Sequence, residues 1–278
     1  MRVTLFRNPG AGSGYVGDAA ALLRWHGAIV QVRRVDEVDL PLPAGTERIV
    51  VAGGDGSIAP VAAVAAAAEL PLAVLPAGTA NDFARVMELP ADLGEAARLA
   101  ATGVRTRRLD LARMGGRPFV NVASIGLAPR AAAEARGLKR ALGPLAYAVG
   151  GVRAALAAAP VRCGARCDGK LIFEGRVWQA TIAGSGAFGA GSEIDAEPGD
   201  GRLDLVVIEA GSRLALARRA AGLRWGNVSA QPGVHHTRAR TIELDVAPGT
   251  RFNVDGEVVD DGPVRFGVEP GVVELVVG

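Results

Sequence analysis

Lysine is almost missing from this chain: of 278 residues only Lys139 and Lys170 carry an ammonium group, and the positive charge is otherwise arginine. Neither lysine lies near a glycine-rich loop and no stretch has the G-x-x-x-x-G-K-[ST] spacing, which excludes a P-loop NTPase. Cysteine is equally scarce. Cys163 and Cys167 stand as C-x-x-x-C in a strand-like region with no histidine nearby, so neither a zinc site nor a disulfide framework is supported. His26, His235 and His236 fall in no motif and read as surface or internally satisfied groups, and Trp25, Trp178 and Trp225 read as core or interface packing. The two charges are nearly balanced, with 31 Lys+Arg against 29 Asp+Glu, which argues against general nucleic-acid binding. No uncharged apolar run reaches the roughly 20 residues a membrane-spanning helix needs. The longest, Ala141 to Val152, is interrupted by Gly143 and Pro144 and ends at Arg153. The N-terminal M-R-V-T-L-F enters a strand without a charged leader, so the expected location is cytoplasmic, with any membrane contact peripheral.

What is present is a set of glycine-rich loops at strand ends. Ile49 to Ala52 is a β-branched apolar run suited to a buried parallel strand, and it stops at G-G-D-G-S, Gly53 to Ser57. Glycines there let backbone N–H groups face an anion, and the helix expected from Ile58 to Glu69 aims its positive end at the same place. Asp55 is out of character in an anion-binding loop unless it faces a metal, orients a nucleophile or caps a neighbouring N–H. A first strand, Val3 to Phe6, runs into R-N-P-G-A-G-S-G, Arg7 to Gly14; a helix carrying Leu22, Leu23 and Trp25 and a strand from Ala28 to Val32 follow. Asp36 to Thr46, with Pro41 and Pro43, reads as a connection. The strand Leu72 to Leu75 ends in P-A-G-T-A-N-D-F-A-R, Pro76 to Arg85. Alternating strands and helices predict a doubly wound α/β sheet with its ligand beyond the carboxyl ends of the strands, where these three loops would meet.

The character changes near Arg105. Residues 1–105 are expected to form the α/β nucleotide-binding domain and residues 106–278 a predominantly β-sandwich lipid and metal domain with a helical insert near 129–160. Its strands are expected at Thr106 to Arg113, Arg117 to Ser124, Val161 to Asp168, Lys170 to Ala183, Leu203 to Ile208, Thr241 to Val246, Arg251 to Val254, Val264 to Val268 and Val272 to Val277.

With P-G-D-G-R-L-D-L at Pro198 to Leu205 and N-V-D-G-E at Asn253 to Glu257, these motifs resemble the diacylglycerol kinase catalytic-domain family, in particular its bacterial lipid kinases, relatives of sphingosine kinases. The likeness covers nearly the whole chain in the expected order, and G-T-x-N-D-F-A-R is its most specific part. It implies an α/β nucleotide domain and a β-sandwich, ATP and Mg²⁺ as co-substrate and metal, and transfer of the γ-phosphate to a lipid hydroxyl. Matched by motif, Asn8, Pro9, Gly10, Ala11, Gly12, Gly53, Gly54, Asp55, Gly56, Ser57, Gly78, Thr79 and Asn81 are the implied nucleotide contacts. Asp55 and Asp82 are the implied catalytic carboxylates of their loops, Asp255 and Glu257 the element supplying the general base, and Asp200, Glu197 and the Arg202 carbonyl the magnesium site. The implied partners are a membrane lipid acceptor met through peripheral membrane contact and no nucleic acid; a homodimer is left open.

The chemistry asks for this set independently. A hydroxyl is a poor nucleophile, and phosphoryl transfer needs in-line positioning, neutralised phosphate oxygens and a carboxylate to take the proton. Hard oxygens such as Asp200 and Glu197 suit Mg²⁺. Asp200-Gly201 and Asp255-Gly256 are also ordinary hairpin-turn signals, and Asp110 and Asp204 fit structural as well as functional roles. The chain departs from the family at Ser57, where threonine is usual, in the short Asp36 to Thr46 stretch, and in ending on a strand at Gly278. Two other classes remain open: a NAD kinase-like small-molecule kinase, which shares the glycine loop, and a non-catalytic lipid- or nucleotide-binding module. The basic, apolar segment Gly137 to Pro160 is expected to help dock the enzyme on a membrane.

Overall fold

The computed structural model describes residues 1–8, 18–127, 159–185, 187–189, 192–193, 198–213, 216, 231–261 and 264–278. The implied nucleotide contacts Pro9 to Gly12, the metal ligand Glu197 and nearly all of the helical insert and basic docking segment lie outside these residues. The elements run β1 (Arg2–Arg7), α1 (Ala19–Trp25), β2 (Ile29–Arg34), β3 (Arg48–Gly53), α2 (Asp55–Ala67), β4 (Leu72–Pro76), α3 (Asp82–Val86) and α4 (Leu93–Thr102). Then come β5 (Arg105–Met114), β6 (Arg117–Phe119), β7 (Val122–Gly126), β8 (Val161–Cys167), β9 (Lys170–Ala183), β10 (Ala187–Gly189) and β11 (Ser192–Glu193). The last are β12 (Leu203–Glu209), β13 (Val234–Ala239), β14 (Thr241–Asp245), β15 (Thr250–Val254), β16 (Glu257–Asp261) and β17 (Val264–Val277). Two compact units divide the chain: the first holds Met1–Leu111, Pro198–Gly201 and Glu269–Gly278, the second Ala112–Glu197 and Arg202–Val268.

In the first unit the strands β2-β1-β3-β4-β17 pair in that order and in parallel, and β5 pairs with the other edge of β17. The short β-branched runs read as buried strands are buried over their whole length in β3 and β4. Val3, Leu5, Val50, Ala52, Ala73 and Leu75 pack with Ala19 and Leu23 of α1, with Ala96, Ala97 and Ala100 of α4, and with Val276. Alanine at these helix positions lets backbones approach closely, and α2 packs against β3 and β4 with Ile58, Val61, Ala62 and Ala65 buried. Arg48, buried at the start of β3, donates from Nη1 to the Ala100 carbonyl and from Nη2 to the Gly103 carbonyl, both at 2.7 Å, and so closes the C-terminal end of α4. Burial pushes its pKa down. Trp25, read as packing, is 85% exposed.

The second unit is antiparallel: β16-β15-β7-β9-β8-β14-β17, with β12 beside β9 and β13 beside β12. Alternate side chains of these strands fill one core around Phe119, Phe252 and Phe266, whose rings meet at 6.2 Å, edge-on in one pair and tilted in the other. Asp168-Gly169, with φ of +47° and +79°, turns β8 into β9; the Asp168 carboxylate accepts from the Thr241 and Arg240 N–H groups, and these bonds hold its pKa below the ordinary carboxylate value.

Three differences from the sequence reading have local causes. Arg117 to Ser124 is not one strand: it breaks at Val120 and Asn121, whose N–H groups turn to the Asp255 carboxylate. Val264 to Val277 is one strand, continuing through Pro270 and a left-handed Gly271 at φ +62°. β13, sequence V-H-H-T-R-A, has too few apolar residues to announce itself as a strand.

Cys163 and Cys167 are free and buried in the second unit's core, and burial pushes their pKa values up, to about 12 and about 11. At pH 8 both are protonated and covered, so native protein should not react with a thiol reagent such as DTNB on the minute timescale, while protein in strong denaturant should release two equivalents.

Candidate active site

Adjacent strands β1, β3 and β4 deliver their loops to one edge of the first unit's sheet, and polar contacts tie these loops together. The Asn8 N–H donates to the Ala52 carbonyl at 3.2 Å, and Asn8 Nδ2 donates to Ser57 Oγ at 3.1 Å. The Ala77 N–H donates to the Gly53 carbonyl at 3.0 Å. Ser57, buried in the first turn of α2, thus joins the first loop to the second, while the N-terminus of this 13-residue helix supplies positive potential there.

The glycines are needed for space. Neither Gly54 nor Gly78 has a positive φ. A Cβ on Gly78 would sit 2.4 Å from Gly54 Cα, and one on Gly54 would sit 3.1 Å from Gly78 Cα. The two backbones therefore touch where any other residue pair would hold them apart.

Asp55 does what a cap does. Its Oδ1 accepts from the Phe83 N–H at 2.9 Å and its Oδ2 from the Asp82 N–H at 3.2 Å, so a carboxylate at the start of α2 holds the first turn of α3. Asn81 enters that turn left-handed, at φ +50°; its Oδ1 accepts from the Gly78 N–H at 2.8 Å and its Nδ2 donates to the Gly78 carbonyl. Asp82 pairs with Arg85 at 3.0 Å. Thr79 is exposed in the same loop.

Asp200 is exposed in the Pro198–Gly201 segment of the first unit, and Asp110 fixes that turn. Asp110 Oδ2 accepts from the Gly201 N–H at 2.6 Å and its Oδ1 from the Gly271 N–H at 2.8 Å. The sequence carries no signal for this, because both partners are backbone groups that any residue type would supply. Arg202 belongs to the second unit. Among the described residues no group of three or more His, Cys, Asp or Glu side chains is arranged to hold a metal ion.

In the second unit, Asp255-Gly256 turns β15 into β16 with φ of +46° and +89°. The Asp255 carboxylate accepts from the N–H groups of Val120 at 2.8 Å, Asn121 at 2.9 Å and Val122 at 3.0 Å. Three aligned N–H donors define its position within narrow limits. Glu257, on the strand beyond, is exposed and paired with Arg117. Asp204 is buried and accepts from Arg238 Nε at 3.1 Å, with His236 Nε2 at 2.6 Å, so this carboxylate and histidine satisfy one another.

A parallel α/β sheet whose edge carries lysine-free glycine loops, followed by an antiparallel β domain, fits a kinase with an alcohol acceptor, and comparison with known proteins shows that class. Residues 2–114 match the diacylglycerol kinase catalytic domain, and residues 121–277 match the YegS C-terminal NAD kinase beta sandwich-like domain. A protein of Pseudomonas fluorescens named "Probable lipid kinase YegS-like" is 32% identical over 93% of this chain and 85% of its own length; one of the same name from Klebsiella pneumoniae is 29% identical over 97% and 93%. Among solved structures, a diacylglycerol kinase from Bacillus anthracis superposes with a TM-score of 0.80 over 100% of this chain and 97% of its own, at 22% identity. An NAD kinase from Archaeoglobus fulgidus in complex with ATP gives 0.53 at 15% identity, covering 100% and 94%. The chain belongs to the diacylglycerol kinase catalytic-domain family.

Gly78→Ala forces a methyl group into the Gly54 backbone and should cost about 1–3 kcal/mol of stability. Asp55→Ala, which removes the acceptor for two N–H groups, should cost about 1–2 kcal/mol. Urea melts followed by circular dichroism check both; a midpoint equal to that of the wild type would show that the loop contact is slack.

Proposed function

We propose that this protein transfers the γ-phosphate of ATP to the hydroxyl of a membrane lipid of the diacylglycerol class, working at the membrane surface. The observation that carries the reading is the close Gly54–Gly78 approach of the first unit's loops; in this reading backbone N–H groups at the start of α2 stand in for the lysine of a P-loop. ATP as donor is supported by the ATP-bound NAD kinase that shares the fold. Among the described residues no helix is long and apolar enough to cross a membrane.

In this reading Asn8, the Gly53–Ser57 loop and the Gly78–Asn81 turn bind and orient the phosphates. Asp55 acts by fixing α3, which sets Asp82 in place. Asp200 offers Mg²⁺ a hard oxygen on a turn that Asp110 immobilises, which suits its preferred chemistry; the ion, when bound, neutralises phosphate oxygens. The Asp255–Glu257 turn supplies the base: Asp255 is held by three N–H groups, and Glu257 is the more accessible carboxylate of the two.

Incubating the protein with labelled ATP and a panel of diacylglycerol, phosphatidylglycerol, sphingoid base, ceramide, polyprenol and NAD tests this. Labelled diacylglycerol is the expected product; labelled NAD alone would overturn the proposal. Asp82→Asn and Glu257→Gln should each lower turnover by at least about a hundredfold with melting curves unchanged, because each keeps the side chain's shape and removes a charge needed for metal or proton handling. Asp255→Asn should lose stability as well, because its amide NH₂ would oppose backbone donors. Asp200→Ala should raise the Mg²⁺ concentration required for half-maximal rate without changing metal-free ATP binding.

A further inference from the structure

Among the described residues five buried side-chain atoms lack a hydrogen-bond partner: Arg48 Nε, Ser124 Oγ, Trp178 Nε1, His235 Nε2 and Asn253 Oδ1. Such atoms are uncommon, because a buried donor or acceptor left unpaired costs about 1–3 kcal/mol. Two of them are neighbours. Asn253 of β15 is in register with Ser124 of β7, and Ser124 with Thr181 of β9. The positions on either side, Phe252 and Val254, Ala123 and Ile125, Ala180 and Ile182, all belong to the core. By strand alternation Asn253, Ser124 and Thr181 therefore form a polar row across the opposite face of the sheet. Ser124 and Thr181 are 2% and 1% exposed, yet only Thr181 is provided for: Gln179 Nε2 donates to its Oγ1 at 2.9 Å.

The row has a direction. β15 ends at Val254, one residue past Asn253, and Asp255 heads the turn that follows. One step the other way are Gln179 and Ile208, which are in register, and Ile208 packs with Trp178, Leu216 and Leu127 in a small cluster separate from the main core. The row thus begins beside the turn that carries Asp255 and leads, past the unpaired Asn253 amide oxygen and Ser124 hydroxyl, to an apolar patch. In a diacylglycerol the free hydroxyl, the ester linkages and the acyl chains follow one another in that order.

Building on the lipid-kinase reading above, we infer that Ser124 and Asn253 recognise the glycerol–ester region of the acceptor lipid and set its specificity. Asn253 Oδ1 can only accept, and its partner is the lipid hydroxyl, held two residues from Asp255. The Ser124 hydroxyl donates to an ester carbonyl. A trapped water could satisfy either atom, but it would give the row no preference between lipids.

The test compares dioctanoylglycerol with its dioctyl ether analogue, which keeps the hydroxyl and chains and lacks the carbonyls, in mixed micelles. Wild-type enzyme should show a KM about tenfold higher for the ether, the size expected for losing one hydrogen bond. Ser124→Ala should raise the ester KM to that of the ether and abolish the difference, with kcat within about twofold and the melting temperature unchanged or higher, since an unpaired buried hydroxyl has been removed. Asn253→Ala should raise KM for both lipids alike. Ser124→Cys, near-isosteric, covers the case in which alanine unfolds the protein, and should likewise shrink the ester preference. An ester preference kept intact in folded Ser124 variants overturns the inference and leaves the lipid-kinase reading standing. No transfer by wild-type enzyme to any lipid overturns both.

Discussion

The contact between Gly54 and Gly78 is the constraint on which the first unit's site depends. Two loops at the ends of neighbouring parallel strands are brought so close that one Cβ would not fit, and only then can the Asp55 carboxylate reach the N–H groups of Asp82 and Phe83. The same approach puts Ser57 within reach of Asn8. A phosphate cradle built from main-chain groups has no long side chain to bend toward its ligand, so its geometry must be set by the fit of backbone on backbone. In the proposed reading this chain, whose loops carry no lysine in their sequence, relies on that fit.

Carboxylates do much of the fixing. Asp55, Asp110, Asp168 and Asp255 each accept from backbone N–H groups of another segment, and each sits beside a loop or turn that ordinary strand pairing would leave loose. In the second unit Asp255 interrupts a stretch that would otherwise pair as a continuous strand, which shows how far a charge-assisted acceptor can override β-propensity.

Much of this was legible in the residues. The parallel sheet followed from short β-branched runs alternating with alanine-rich helical stretches, and the three loops at its edge were marked by glycine, proline and asparagine at strand ends. The role of Asp55 was legible only as a set of alternatives, because a cap, a metal ligand and a nucleophile-orienting group require the same residue type. Asp110 was out of reach: its partners, Gly201 and Gly271, lie 91 and 161 residues away and engage it through main chain alone. The polar row of Asn253, Ser124 and Thr181 was hidden for a similar reason, since register between strands distant in sequence decides which residues become neighbours.

The parallel sheet of the first unit is completed by a strand made last. β4 is flanked by β3 on one side and by Leu275 of β17 on the other, and nearly all of the second unit is synthesised before β17 appears. Until then the growing chain carries a fully apolar strand with an uncovered edge, the kind of surface that recruits other chains. Loss of a few C-terminal residues would leave that edge open for good, so a premature stop or a protease nick near Glu274 threatens solubility before it touches any residue of the site.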